Sequence, residues 1–285
     1  MNKPEPYKNW LLHFIYKNRL GKCFRKIINK KWLSLIVGFY CDLRISRIHI
    51  KSFVRKYGIN LDEVEKPLSQ YKTFNDFFIR RLKPVSRTVN FDKDVVVSPC
   101  DGTILAIENI LPFTNFPLKG LVLNMEKLIG NSSLFEKYQN GTLILLRLAP
   151  KDYHRFHFPT DCIPSKPIRI PGLYDSVDPI VYEDGIMPLI NNERHIIFLS
   201  TKLYKIIIMI PIGALCVGRI IETYKANIFN AKATEAGYFS FGGSSIVLLF
   251  ESDLIDLRED ILLNSKEGIE TNIMMGEGFG FRKIR

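Results

Sequence analysis

Three short stretches of the chain hold the residue types of an activated nucleophile. VVVSPCDGTI carries Asp101, LLRLAPKDYHRFHFP carries His154 and His157, and FGGSSIVLLF carries Ser244. A serine hydroxyl is a weak nucleophile until a base takes its proton, and an imidazole oriented by a carboxylate can be that base. Histidine suits the task because its ordinary pKa lies near 6.5. Each residue also has a plainer reading. Asp-Gly is a common turn pair. Gly242-Gly243 at the head of an apolar run fits a bulge, or a place where another group must approach the backbone closely. His154-x-x-His157 would put two imidazoles on one helix face as metal ligands, but no HExxH glutamate or evident third ligand accompanies them. In a strand the two would point to opposite faces and could do separate jobs.

All of these residues sit at the ends of apolar runs. After residue 94 the runs are short: DVVVSP, GTILAIENI, GTLILLRLAP, HIIFLS, KIIIMIPIGALCVGRI and SSIVLLF, separated by Gly, Pro, Asn and Asp. That texture predicts a β-rich domain. The longest run, 206–218, is broken by Pro211 and Gly213 and reads as a buried strand pair. It is too short for a membrane span, which needs about 18 apolar residues. Before residue 90 the spacing is helical. SFVRKYGINLDEV predicts a helix stopped at Gly58, and TFNDFFIRRLKP one capped by Thr73 and ended before Pro84. Further upstream, Tyr7, Trp10, Leu11, Phe14 and Ile15 form one stripe. Leu20, Cys23, Phe24, Ile27 and Ile28 form a second, continued by Trp32, Leu35, Ile36 and Phe39. The expected fold class is α+β: a helical region over 1–90, then a β-rich catalytic domain over 91–285.

Hydrophobic residues make up 46% of the 285, enough for a substantial core. Cys23, Cys41, Cys100, Cys162 and Cys216 are scattered, odd in number and free of any CxxC pair. They read as reduced, mostly buried thiols, not as a disulfide framework or zinc knuckle. The net charge of +11 is localised. Residues 1–60 hold 14 Lys/Arg against Glu5 and Asp42, giving +12, while the other 26 Lys/Arg face 27 acids, giving −1. A basic amphipathic segment holding both tryptophans suits an anionic membrane surface, where each basic residue contributes about 1 kcal/mol. The plainer alternative is an ordinary docked helix with a solvated basic face. No recognised nucleic-acid module accompanies the patch, and Glu5 and the recurring lysines interrupt any signal-peptide pattern. The protein is expected to lie on a membrane and not to cross it.

SPCDG, RLAPKDYHRFHFP and KATEAGYFSFGGSS resemble, in order and rough spacing, the motifs of phosphatidylserine decarboxylases. TFNDFFIRRLKP, GLYDSVDP, NNER and MMGEGFG resemble that family's connecting segments. The likeness runs from about residue 50 to the C-terminus and is looser in the N-terminal helices. The glycine pair looks like the Gly-Gly-Ser-Thr branch, with Ser245 where threonine is usual and Ala233-Thr234 after Lys232. The resemblance implies that the chain cuts its own Gly243–Ser244 bond. Ser244 Oγ would attack the Gly243 carbonyl, His157 would take the proton, and Asp101 would orient that imidazole. The lack of a Cβ at Gly242 and Gly243 would let the backbone bend into place. β-Elimination and hydrolysis would then leave a pyruvoyl group at position 244, on an α subunit of 244–285 beside a β subunit of 1–243.

The pyruvoyl group is expected to form a Schiff base with phosphatidylserine and to act as an electron sink as CO2 leaves, giving phosphatidylethanolamine. Neither metal nor pyridoxal phosphate is expected. His154 is the expected acid or positioning group, although two histidines three residues apart could exchange roles. The implied partners are phosphatidylserine and an anionic membrane surface, with a homo-oligomer left open and no nucleic acid. The implied location is peripheral, on the cytoplasmic face of a bacterial cell membrane. Three other readings stay open. A serine hydrolase could use Asp101, His157 and Ser244, though a GxSxG elbow is missing. A pyruvoyl decarboxylase could act on a soluble amino acid. A non-catalytic membrane-binding protein could carry a degenerate site.

Overall fold

The computed structural model describes residues 10–117, 121–215 and 219–283. Glu5, Tyr7 and Cys216 lie outside them. The site-bearing sheet has eight antiparallel strands. Its order runs Thr271–Ile273, Gly102–Glu108, Thr142–Leu148, Ser244–Phe250, Ile206–Gly213 and Arg194–Ser200, with Ile163–Pro164 and Ile168–Ile170 both on the last. The Ser244–Phe250 strand is central and buried at every residue. Ile246, Leu248 and Phe250 enter one core with Leu146, Leu148, Phe156 and Val177. Val247 and Leu249 enter a second core with Leu143, Leu145, Ile208 and Ile210. Both faces of the strand are covered, so its sequence shows no polar alternation.

The 206–218 run departs from expectation. Its described residues, 206–215, hold one strand, Ile206–Gly213, which continues through Pro211. Pro211 faces Ile246 in register on one side. On the other, the pairing skips from Met209–Ile197 to Ile212–Arg194, and a residue without an N–H is tolerated where the ladder is interrupted. The next strand, Ile220–Glu222, belongs to a different sheet with Glu235–Phe239 and Arg155–His157.

The helical region begins with α1 (Trp10–Lys17), α2 (Arg19–Ile28) and α3 (Lys31–Asp42), followed by α4 (Ile50–Tyr57) and α5 (Phe74–Phe78). Gly58 ends α4 in the left-handed conformation, as the sequence predicts. Thr73 caps α5, its Oγ1 accepting from the Asp76 amide at 3.0 Å. That helix stops at Phe78 and does not reach Pro84. The backbone of residues 81–83 is instead drawn into pairing with 63–65: Glu65 N donates to Arg81 O, Lys83 N donates to Glu63 O, and Val64 bridges Leu82. α1 buries Ile15 and Tyr16 against Val181 and Ile186. The opposite faces of α1–α3 leave Trp10, Leu20, Phe24, Ile27, Trp32, Ile36 and Phe39 exposed.

Candidate active site

Strand register brings the expected site residues to one end of the large sheet. Ser244 lies opposite Leu148 on one neighbour and Gly213 on the other. Thr103 pairs with Arg147, so Gly102 follows on the strand beyond Leu148. Two strand spacings put the Gly102 and Ser244 backbones about 10 Å apart. Gly102 has φ +145°, and a Cβ there would sit 2.2 Å from Arg147 O, so only glycine fits. The chain leaving Leu148 turns through residues 149–152 and delivers His154, then the Arg155–His157 strand. His157 N donates to Pro99 O at 2.8 Å, tying that strand to the approach to Asp101.

Ser244 is fully buried, and its Oγ has no hydrogen-bond partner among the described residues. By strand alternation it shares a face with Ile246 and Leu248. Gly242, at φ +134°, needs glycine's freedom. Gly243 does not need it in this conformation: a Cβ would meet Val177 Cγ2 at 3.5 Å and Leu148 O at 3.8 Å, both ordinary contacts. Helix α5 holds the loop ahead of the serine. Phe241 packs edge-on against Phe74 and Phe78, with centroids 4.9 and 5.1 Å away, and its amide donates to Asn75 Oδ1 at 3.1 Å.

The two histidines have different surroundings. His154 is wholly buried and stacks on Phe78 at 4.1 Å. Its Nε2 lies 3.1 Å from Ala149 O. A carbonyl oxygen only accepts, so this nitrogen carries the proton. The Nδ1 lone pair is buried without a hydrogen-bond partner among the described residues. Burial, aided by the charge of Arg80, pushes the imidazole down to about 3, so it is neutral near pH 7. His157 donates from Nδ1 to Ala233 O at 2.9 Å, which leaves the Nε2 lone pair facing the Tyr153 hydroxyl at 3.2 Å. Burial lowers its pKa as well, opposed by the bond to Ala233. Ala233 aims that carbonyl from a left-handed conformation, φ +63°. Beside it, Lys232 Nζ is anchored on the carbonyls of Asn90, Asp92 and Val95.

The Asp101 carboxylate accepts from Arg87 Nε at 2.9 Å and from the Met275 amide at 2.9 Å. Arg87 also reaches Glu63 at 2.8 Å. Asp101, His157 and Ser244 therefore gather at one end of the sheet without forming a hydrogen-bonded chain. Arg87 and Tyr153, which occupy Asp101 and His157, are not recognisable from the sequence, because only tertiary structure shows whom they hold. Asp152 is a third residue the sequence reading passed over. Its carboxylate accepts from the Ala149 amide at 2.7 Å, and burial raises its pKa to about 6. The available signal was an aspartate three residues after Ala149, spaced to close a turn on its own backbone.

The family model of phosphatidylserine decarboxylase matches residues 74–281. The chain belongs to the phosphatidylserine decarboxylase family. The phosphatidylserine decarboxylase proenzyme of Clostridium botulinum (strain 657 / Type Ba4) is 41% identical over 280 residues, covering 98% of this chain and 94% of the relative. The proenzyme of Clostridium tetani is 38% identical over 270 residues, covering 95% and 91%. That of Fusobacterium nucleatum is 40% identical over 273 residues, covering 95% and 91%. The matched family region opens at α5, the helix that grips both His154 and the loop before Ser244, and the relatives' similarity continues upstream through the basic helices.

Proposed function

We propose that this member of the phosphatidylserine decarboxylase family converts phosphatidylserine to phosphatidylethanolamine and CO2, using a pyruvoyl group made from its own Ser244. The observation that carries the reading is the Ser244 hydroxyl. It is buried, lacks a hydrogen-bond partner among the described residues and follows a glycine pair at the end of the sheet that gathers Asp101, His154 and His157. An unpaired buried hydroxyl costs about 1–3 kcal/mol; Ser245 Oγ is equally buried and unpaired among the described residues, and the place of Ser244 directly after the Gly243 carbonyl is what makes it the nucleophile of the two.

Ser244 Oγ attacks the Gly243 carbonyl carbon and gives its proton to His157, whose lone pair lies on Nε2. The negative charge of Asp101 favours the imidazolium that forms. His157 returns the proton to the Ser244 nitrogen as the Gly243 C–N bond breaks, leaving an ester between the Gly243 carboxyl and Ser244 Oγ and a free amine at Ser244. Loss of the Ser244 α-proton expels the Gly243 carboxylate and leaves dehydroalanine, and water then releases ammonia from the new N-terminus. The resulting carbonyl supplies a capture point for a primary amine and an electron sink as CO2 departs. His154, neutral near pH 7, suits the positioning role better than that of an acid. The basic helices bring the active site to an anionic lipid surface. No helix among the described residues is long and apolar enough to cross a membrane. Peripheral attachment at the cytoplasmic face of a bacterial membrane fits this arrangement.

Intact mass of the purified protein tests the reading. Two chains are expected, the smaller beginning at a modified residue 244, and Ser244→Ala gives one chain. Carboxyl-labelled phosphatidylserine releases CO2 and free serine releases far less. An unmodified single chain with full decarboxylase activity overturns the mechanism.

A further inference from the structure

Asp175, in GLYDSVDP, is a wholly buried carboxylate that the chemistry above does not use. It accepts from Arg25 Nε at 2.7 Å and Nη2 at 2.9 Å, from the Tyr16 hydroxyl at 3.3 Å and from Asn29 Nδ2 at 3.4 Å. Every one of these donors comes from α1, from α2 or from the residue that caps α2. The backbone beside it is held the same way. Ser176 N donates to the Tyr16 hydroxyl at 2.8 Å, and Tyr174 N donates to Asn29 O at 2.9 Å.

On its other side the same segment reaches Ser244. Val177 Cγ2 lies 3.5 Å from the point a Cβ on Gly243 would occupy. Asn192 Nδ2 donates to Asp175 O at 2.7 Å and to Gly213 O at 2.8 Å, and Gly213 is the register partner of Ser244. Undocking α1 and α2 would leave a buried carboxylate without its side-chain donors. Such a charge must reach water or be neutralised; the segment would carry Val177 away from Gly243 and break the Asp175 O–Asn192–Gly213 O link beside Ser244.

We propose that Arg25, Tyr16 and Asp175 are positioning residues for Ser244. They fasten the 174–177 segment over the Gly243–Ser244 bond, so that self-cleavage depends on docking of the same helices that carry the exposed apolar face. The inference rests on the self-cleavage reading above.

The test follows cleavage of the full chain, made by cell-free synthesis with a radiolabel, chased in time and resolved on denaturing gels. The variants are Arg25→Ala, Arg25→Lys, Tyr16→Phe and Val177→Ala, and their melting temperatures are read in a Ser244→Ala background. Arg25→Ala is expected to slow cleavage at least tenfold, with Arg25→Lys recovering part of the rate. Tyr16→Phe and Val177→Ala are each expected to slow it several-fold. Wild-type chain in enough urea to match each variant's melting temperature keeps a faster rate, which a purely structural role would not produce. If Arg25→Ala yields no folded chain, Tyr16→Phe and Val177→Ala decide. Wild-type rates in these two, or equal slowing of the urea-matched wild type, overturn the clamp while self-cleavage stands. A wild-type chain that never cleaves overturns the self-cleavage reading and the clamp with it.

Discussion

At the scale of single residues, the two histidines are both neutral and both buried, yet they differ in which lone pair is free. His157 presents Nε2 toward a hydroxyl, while His154 presents beside Phe78 an Nδ1 without a hydrogen-bond partner among the described residues. His157→Ala is therefore expected to block chain cleavage. His154→Ala is expected to permit cleavage and to lower CO2 release by about 10²-fold or more, the scale of a lost general acid–base or positioning group. Paired gel and activity assays check this, and the reverse pattern exchanges the two assignments. Burial of these groups also ties stability to pH. The unfolded chain protonates His154 near 6.5 but the folded chain only near 3, so stability falls as pH drops through that window. His157, lowered for the same reason, acts in the same direction. Asp152 opposes both. Its folded pKa of about 6 exceeds the ordinary 3.8, so between those values the folded state holds the extra proton and gains stability as pH falls. Each group contributes at most about 1.4 kcal/mol per pH unit. Asp152→Asn in the Ser244→Ala background should thus lose melting temperature more steeply than its parent between pH 6 and 4. Parallel slopes would show that Asp152 carries no raised pKa.

At the scale of elements, the turn that serves His157 carries a strained residue. Ala233 holds φ +63° to present its carbonyl to Nδ1. A left-handed non-glycine residue costs about 1 kcal/mol, partly offset on glycine substitution by the greater freedom of the unfolded chain. Ala233→Gly should raise stability by a few tenths of a kcal/mol to about 1 kcal/mol and leave cleavage unchanged, as thermal melts and gels will show. A drop in stability would mean that the turn is relaxed with alanine. This turn also marks the limit of what the sequence disclosed. The strands were legible because apolar runs between turn residues report burial directly, and Thr73 and Gly58 were legible because caps are local chemistry. The end of α5 was not, since it is set by pairing with residues 63–65 and not by its own composition. The site divides in the same way. Asp101, His154, His157 and Ser244 stand out by type and by place at strand ends, and the motif resemblance supplied their roles. Arg87 on Asp101, Tyr153 on His157 and the helices on Asp175 depend on contacts between distant segments that no local pattern encodes.

At the scale of the whole molecule, about half of the basic excess of residues 1–60 shares α1–α3 with their exposed apolar side chains; there Lys17, Lys22, Arg25 and Lys31 pair with Glu183, Asp184, Asp175 and Glu193, while Arg19, Lys26 and Lys30 stay exposed. Leu20, Phe24 and Ile27 lie on one helical face and remain 67%, 54% and 52% exposed. Monomeric proteins rarely leave such a contiguous apolar surface in water. Inserting these side chains among lipid tails would contribute about 1 kcal/mol or more each, while the lysines and arginines attract anionic headgroups over a Debye length of about 8 Å at physiological salt. The two contributions separate experimentally. Raising salt to 1 M shortens the Debye length to about 3 Å and should weaken flotation with anionic vesicles without abolishing it. Replacing Leu20, Phe24 and Ile27 together by serine should weaken binding on the order of 100-fold at any salt. Deleting the helices is a poorer test, because it also strips Asp175 of its donors and disturbs the site. The serine substitutions touch only outward-facing side chains, so the variant should still cleave itself in solution while losing activity toward vesicles and keeping it toward lipid dispersed in detergent. Vesicle binding equal to wild type in the triple variant would remove these helices from the membrane contact and leave their docking on Asp175 as the remaining reason for their place in the fold.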